Sequence, residues 1–442
     1  MYLQTDDQTI DDLRIFGKRD SAGIFDLYNR VHTRGGESLL KEMFRAPLSD
    51  MEKINTRSSI LQHFAANRVP FPFSASMFDM AEKYMLSVEE ANRQGNNKSL
   101  LSEKEIANGV AALIELMQVT RSFLDSSSVT GLAAYSAERE SIAAILNDAA
   151  FEPVLRESGK SRLAYAAVAA YDVLFRNREH AKVNRLLQHI YYLDVLLSVA
   201  AVAVERGFVF PAAHAGKGVE LLLEGVYHPE LKSPVANDVL MQESQNLIFL
   251  TGANMAGKST FLRSVSVAIY VAHMGFPVAA RRMEFSVMDG IYTTINLPDN
   301  LGIGASHFYA EVLRVKQVAA ELSKGKAIFV VFDELFRGTN VKDAHEASVA
   351  VALAYAKKRN SLFIISSHII EAGEQLKQLA NIGFLYLPTR MNGNMPEYTY
   401  RLEKGITDDR HGMIIIRNEG ILEILEKGKK HLPGEHSLAS GG

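Results

Sequence analysis

Ten residues, Thr251–Thr260 (TGANMAGKST), hold glycine, lysine and hydroxyl groups at the spacing G-x-x-x-x-G-K-[ST]. That spacing suits one kind of chemistry. Gly252 and Gly257 allow the tight bends that turn successive backbone N–H groups toward phosphate oxygens. Lys258 supplies a point charge for β- and γ-phosphates, and the Ser259 hydroxyl is a ligand type for Mg²⁺. A second group lies downstream, where the apolar run Ile328–Phe332 ends in Asp333 and Glu334. At a strand end Asp333 can hold the water shell of Mg²⁺, and Glu334 can orient an attacking water or take its proton. Such a pair can also merely open a surface loop. After a phosphate loop, two adjacent carboxylates suit hydrolysis of a γ-phosphate better than nucleotide storage. A third apolar run, Leu362–Ile365, ends in Ser366, Ser367 and His368. An imidazole just past a strand end can sense the γ-phosphate or orient water, although a lone histidine is more often structural.

These groups need a scaffold. Asn246–Leu250 is a short apolar strand before the loop, and Phe261–Tyr270 after it reads as a buried helix whose N-terminus faces the phosphates. The texture of the chain changes at Glu205–Gly207. From there short apolar strands alternate with helices, Leu221–Leu223 being a further candidate strand, as in an α/β domain with a mostly parallel sheet.

The chain before that point reads as helical. Thr33–Gly36 is expected to break the first helices, Glu37–Phe44 starts another, and Asp50 is placed to cap a helix through Ile54, Ile60 and Leu61. Ile106, Val110, Leu113, Met117 and Leu124 keep helical spacing, which signals core packing. A turn near 158–160 is expected to lead into one long helix carrying Arg176, Arg178, Lys182 and Arg185. Those residues, and Arg30, His32, Arg34, Lys41 and Arg45 earlier, could face phosphate, but with acidic residues among them a solvated face is the plainer reading.

Composition sets the limits. With 442 residues, 47% hydrophobic and 22% charged, two or three domains with a large core are expected. A net charge of −3 argues against strong non-specific nucleic-acid binding while leaving room for a local basic patch. The lack of cysteine excludes disulfides and thiolate metal sites, and makes the cytoplasm the expected compartment. The polar, acidic start is no signal peptide. The most apolar runs, Tyr191–Val204 and Val265–Ala280, contain Asp194 and His273 and are short for a span, so they read as buried helices and no membrane is expected.

At this point the motifs resemble one family, the MutS proteins of DNA mismatch repair. TGANMAGKST is similar to that family's T-G-P-N-M-G-G-K-S-T, with Ala253 and Ala256 as departures. Phe332–Asn340, FDELFRGTN, resembles its D-E-I-G-R-G-T-S, with Phe336 in place of a glycine. Ser367-His368 resembles its T-H switch. Asp299, Asn300 and Leu301 with Ser306, His307, Phe308 and Glu311 resemble its D-D-L…S-T-F…E segment, and Tyr400, Leu402, Gly405 and Gly412 its closing Y-x-L…G…G stretch. Thr33–Gly36, Leu39, Leu40 and Pro47–Asp50 look like the start of its helical core, and Leu193 through Arg206 like the end.

The resemblance implies an α plus α/β fold: an all-helical core and lever domain over 1–204, then an ABC-type P-loop ATPase domain with a mostly parallel sheet over 205–430, and a flexible tail over 431–442. It implies ATP and Mg²⁺. Gly252, Asn254, Met255, Ala256, Gly257, Lys258, Ser259 and Thr260 would hold the nucleotide, with Asn254 and His368 near the γ-phosphate. Ser259 and Asp333 would serve the metal, and Glu334 and His368 catalysis. Two ATPase domains would face each other in a homodimer, Ser306 reaching the partner's γ-phosphate, so that ATP state and dimer geometry are coupled. DNA would be bound through the helical domain, in repair or another DNA transaction.

Departures qualify that expectation. No room precedes residue 1 for mismatch-reading and connector domains, so the mismatch wedge is expected to be missing, and 65–190 is too short for a full clamp domain besides lever helices. The family's adenine-stacking aromatic would fall near Pro234 and its base-holding histidine near Ile414, so base recognition should differ. The C-terminal dimerisation helices are reduced to about Glu419–His431. Two other readings remain. One is an ATP-gated protein-interaction module without DNA. The other is a transporter ATPase, which needs an LSGGQ-like signature that Glu321–Gly325 does not supply.

Overall fold

Caps decide where the helices begin. Thr33 Oγ1 accepts the Gly36 N–H at 2.9 Å and Asp50 the Lys53 N–H at 3.1 Å, starting helices Arg34–Arg45 and Met51–Asn67. Ser102 and Glu105 form a reciprocal box that opens Glu103–Leu124, whose Val110, Leu113, Met117 and Leu124 are buried as their spacing requires. The computed structural model describes all residues except 19–20, 94–100, 158–162, 216–217, 296–306, 393–394, 408–419 and 429–442. The turn expected at 158–160, Asp299–Leu301, Ser306, Gly412, Ile414 and the tail at 431–442 therefore lie outside the described residues.

Two expectations for the helical part are corrected. Arg34, Gly35 and Gly36 do not break a helix; they form its first turn. The glycines are there for closeness. A β-carbon on Gly35 would lie 2.3 Å from the Tyr191 ring, and one on Gly36 would lie 2.7 Å from Asp194 Oδ2. The single long helix is in fact Tyr165–Val173, a π-helical turn Leu174–Arg178, and His180–Arg206. At that turn Arg176 pairs with Asp172 at 2.6 Å and lies 5.1 Å over the Tyr84 ring. His180–Arg206 is the one described helix long and apolar enough to cross a membrane, but 72% of its most apolar window is buried inside the protein. Its Asp194, fully buried, accepts from the N–H groups of His32 and Thr33 and from Thr33 Oγ1.

Gly207, at φ +65°, closes that helix, and strands follow. Four strands, β1 (Ala212–His214), β2 (Glu220–Val226), β3 (Asn237–Gln242) and, later in the chain, β5 (Arg282–Ser286), make a mixed sheet in the order β1-β5-β2-β3. The second sheet holds β4 (Leu247–Gly252), β6 (Gly290–Thr294), β7 (Ile328–Phe332), β8 (Leu362–Ser366), β9 (Ile382–Leu387) and β12 (Glu403–Lys404), in the order β12-β9-β4-β8-β7-β6. All its pairings are parallel save that of β12. Between β9 and β12 lies the small hairpin β10 (Thr389–Asn392) and β11 (Met395–Tyr398). The strands expected from apolar runs fall inside β2, β4, β7 and β8. The last three are buried throughout, which is why they read as unbroken apolar runs.

One hydrophobic core joins the helical part to both sheets, and a second lies among β7, β8 and helices His307–Ser323, Val341–Ala356 and Ile370–Leu376. The opening residues were not expected to join them. Gln4 bridges Gly290 in parallel, giving its carbonyl to the Ile291 N–H at 2.9 Å, and so covers the outer edge of β6.

Candidate functional site

The registers Leu250↔Ser366 and Phe332↔Ile365 bring the C-terminal ends of β4, β8 and β7 side by side. β4 runs straight into the loop. Gly252 (φ +147°), Met255 (φ +70°) and Gly257 (φ +99°) turn its backbone, Met255 pointing outward at 78% exposed and Ala256 inward. Helix Lys258–Ala272 starts at once, its buried face matching the expected helix. Lys258 is itself buried. Its ammonium donates to the carbonyls of Gly252 at 2.8 Å and Ala253 at 3.2 Å, so the loop closes round its own lysine. Burial pulls its pKa below the usual value, while Glu334 and Asp333 oppose that pull.

The next residue meets the carboxylate pair. Ser259 Oγ donates to Asp333 Oδ2 at 2.5 Å, and Ser366 Oγ donates to the other oxygen. Ser366 also accepts the Glu334 N–H at 3.0 Å. A hydroxyl and a carboxylate in contact are hard oxygen donors of the kind Mg²⁺ takes, and room for its waters lies in the adjoining cleft. Glu334 sits in left-handed backbone at φ +56°, with its Oε1 2.6 Å from His368 Nε2 and its Oε2 3.4 Å from Arg337. The His368 hydrogen bond, against burial, holds its carboxyl down at about 2. Glu334 is therefore an ionised acceptor at neutral pH, the state a general base requires.

A cleft of about 790 Å³ opens over the loop and is lined by Asn254, Met255, Gly257, Lys258, Ser259, Thr260 and Glu334 among others. Thus Gly252 through Thr260, Asp333, Glu334 and His368 come together as expected, His368 touching the cleft through Glu334. Ser306 lies outside the described residues. Sequence reasoning missed Ser366 and Arg337 on the carboxylates, and Asn237 on the cleft wall. Ser366 had a visible signal, a hydroxyl at a strand end beside the histidine already singled out.

A largely parallel sheet with a glycine-bounded loop at the end of a central strand and a carboxylate pair at a neighbouring strand end defines the class. Residues 248–433 match the family model described as MutS domain V, and that span contains the phosphate loop, Asp333, Glu334, Ser366 and His368. Among curated proteins, the chain is 28% identical over 266 residues to the DNA mismatch repair protein MutS of Persephonella marina, covering 58% of this chain and 30% of that protein. It is 34% identical over 284 residues to the protein of the same name from Leuconostoc citreum, covering 61% and 32%. Over its C-terminal part the chain is similar to the MutS family, in the family model and in these relatives alike. It spans about a third of the length of the curated relatives it matches.

Proposed function

We propose that this MutS-like chain is a Mg²⁺-dependent ATPase whose nucleotide state is coupled to pairing of two copies and to a DNA transaction, mismatch repair being the one its relatives' names carry. The observation that supports this most is the meeting of Lys258, Ser259, Asp333, Glu334 and His368 at three adjacent strand ends. In this reading Ser259 and Asp333 would hold Mg²⁺, which when bound would supply positive charge to the phosphates. Lys258 leaves the loop carbonyls for phosphate oxygens, and Asn254 reaches them from the cleft lining. Glu334 takes the proton of the attacking water, with His368 fixing its orientation. Ser306 reaches the second copy's site.

The first test measures ATP turnover by the full chain, Lys258→Ala and Glu334→Gln. Loss of binding in the first and retained binding with slow turnover in the second are expected; undiminished hydrolysis in Lys258→Ala would sink the assignment. One observation favours the reading without DNA. Two of the four basic residues singled out on the long helix are engaged, Arg176 by Asp172 at 2.6 Å and Lys182 by Asp148 at 2.6 Å and Glu179 at 2.8 Å. Turnover against duplex, mismatched, branched and single-stranded DNA at two salt concentrations separates the two. Stimulation that falls steeply with salt supports DNA, because phosphate contacts release counterions.

A further inference from the structure

Ser366 closes β8 as a fully buried hydroxyl after four buried apolar residues. It stands between the two halves of the site. On one side its register partner is Leu250, at the entry to the phosphate loop. On the other the last rung of the ladder is Phe332↔Ile365, one residue short of the carboxylates. Beyond that rung the backbone of β7 leaves the sheet. The Asp333 N–H still reaches the Thr294 carbonyl of β6 at 2.9 Å, but Glu334 is left-handed at φ +56°. A residue other than glycine stays in that conformation only where its surroundings hold it. Here the Glu334 N–H goes to Ser366 Oγ at 3.0 Å, so a side chain continues the tie to β8 where the ladder has ended. The one proton of the same hydroxyl goes to Asp333 Oδ1. Donation to a carboxylate polarises the O–H and makes its oxygen a better acceptor for the amide. A single hydroxyl thus ties both carboxylate residues to the neighbouring strand.

The two ties are unequal. Asp333 keeps a second donor on its other oxygen, Ser259 Oγ at 2.5 Å. The acceptor of the Glu334 N–H is Ser366 Oγ. Removing the hydroxyl therefore leaves Asp333 held and releases Glu334, whose backbone can relax and carry the carboxylate away from His368. We propose that Ser366 is a positioning residue for hydrolysis, holding Glu334 where it meets the attacking water while taking no part in binding the nucleotide. This rests on the reading that Glu334 is the general base of an ATPase. Ser366 is fully buried, so it acts on the reaction through Glu334 alone.

The test compares four full chains, the parent, Ser366→Ala, Glu334→Gln and the double variant, in ATP turnover and in calorimetric titration with ADP and Mg²⁺. Ser366→Ala should lower kcat roughly tenfold to a hundredfold, the scale on which a misplaced catalytic group acts. Its ADP affinity should stay within about twofold of the parent's, which also reports that the site is folded. In the Glu334→Gln background, where the base is already lost, removing the hydroxyl should cost less than about threefold more, because residues that act as a unit are not additive. A packing role would lower kcat by the same factor in both backgrounds, and that result would overturn the proposal. So would an unchanged kcat in Ser366→Ala, or an ADP affinity that falls in step with kcat, since Ser366 would then serve the binding of nucleotide and metal. These outcomes leave the turnover of the parent intact. A parent that hydrolyses no ATP, or a Glu334→Gln chain as fast as the parent, would instead overturn the reading beneath it, and the positioning role with it.

Discussion

Asp12→Ala should loosen the sheet edge next to the site, far from Asp12 in sequence. Asp12 is 2% exposed at the end of helix Asp7–Asp12. It accepts from Thr293 Oγ1 at 2.9 Å and from the Ile295 N–H at 2.8 Å, while Thr9 Oγ1 accepts the Thr293 N–H at 3.0 Å. The opening segment therefore covers the Thr293–Ile295 end of the β6 edge with side chains where a further strand would have used backbone. Thr294, between those anchors, takes the Asp333 N–H on its carbonyl at 2.9 Å, so the brace is one strand removed from Asp333. Alanine leaves two buried donors without their acceptor, at about 1–3 kcal/mol each and more because the acceptor is charged, for a total of about 3–5 kcal/mol. Asparagine keeps one acceptor and should lose about half of that.

Urea unfolding measures the total, and hydrogen exchange places it. The amides of Thr293 and Ile295 should exchange ~100-fold faster or more in Asp12→Ala, since each 1.4 kcal/mol of opening energy is about tenfold. Amides of β4 should change less, because that strand is held by β8 and β9. A shift under about 0.5 kcal/mol with unchanged exchange at those two amides would refute the reasoning, for that is the size of an ordinary surface substitution.

Two further expectations follow from the same kind of accounting. Phe336 is left-handed at φ +65°, yet it is 3% exposed with its ring 5.8 Å from Phe308. Phe336→Gly relieves about 1–2 kcal/mol of backbone strain but forfeits about 3–5 kcal/mol of buried ring, so a net loss of about 2–3 kcal/mol in thermal or urea unfolding is expected; a more stable variant would show that strain outweighs packing. Burial alone would raise the Asp6 carboxyl, but Arg314 and the Thr9 N–H outweigh it and hold it below its ordinary 3.8. Its contribution is then fully present above the unfolded value and is lost as pH falls below 3.8 through the folded pKa. Acid unfolding of Asp6→Asn should be flatter than that of the parent in this window, and parallel curves would remove Asp6 from the account.

What could be read from the chain and what could not divide along one physical line. The phosphate loop, the carboxylate pair and the central strands are local signals: a fixed spacing, or a run whose both faces are buried. The brace of Asp6, Thr9, Asp12 and Arg314 has no local signal. Its partners lie 281 to 308 residues apart, and an acidic opening segment reads as solvated until its acceptors are seen facing β6 and the helix His307–Ser323. Gly35 and Gly36 misled for a related reason. Glycine in a sequence suggests a turn, but these two serve the approach of Tyr191 and Asp194 from a helix more than 150 residues on.

The site's charges also show what a ligand must displace. Lys258 is satisfied by two neutral carbonyls and Glu334 by His368, so neither charge is spent in an irreplaceable contact. On the phosphate reading, Lys258 exchanges carbonyl dipoles for anionic oxygens, a gain that grows in a cleft shielded from water. Glu334 faces the opposite sign and would be repelled by the same phosphates. Its pairing with His368 offsets that repulsion, and its left-handed backbone, pinned by Ser366 from the neighbouring strand, keeps it from swinging away. The arrangement thus favours an anion at Lys258 while leaving the carboxylate ionised beside it, which is the combination that hydrolysis requires and that simple storage does not.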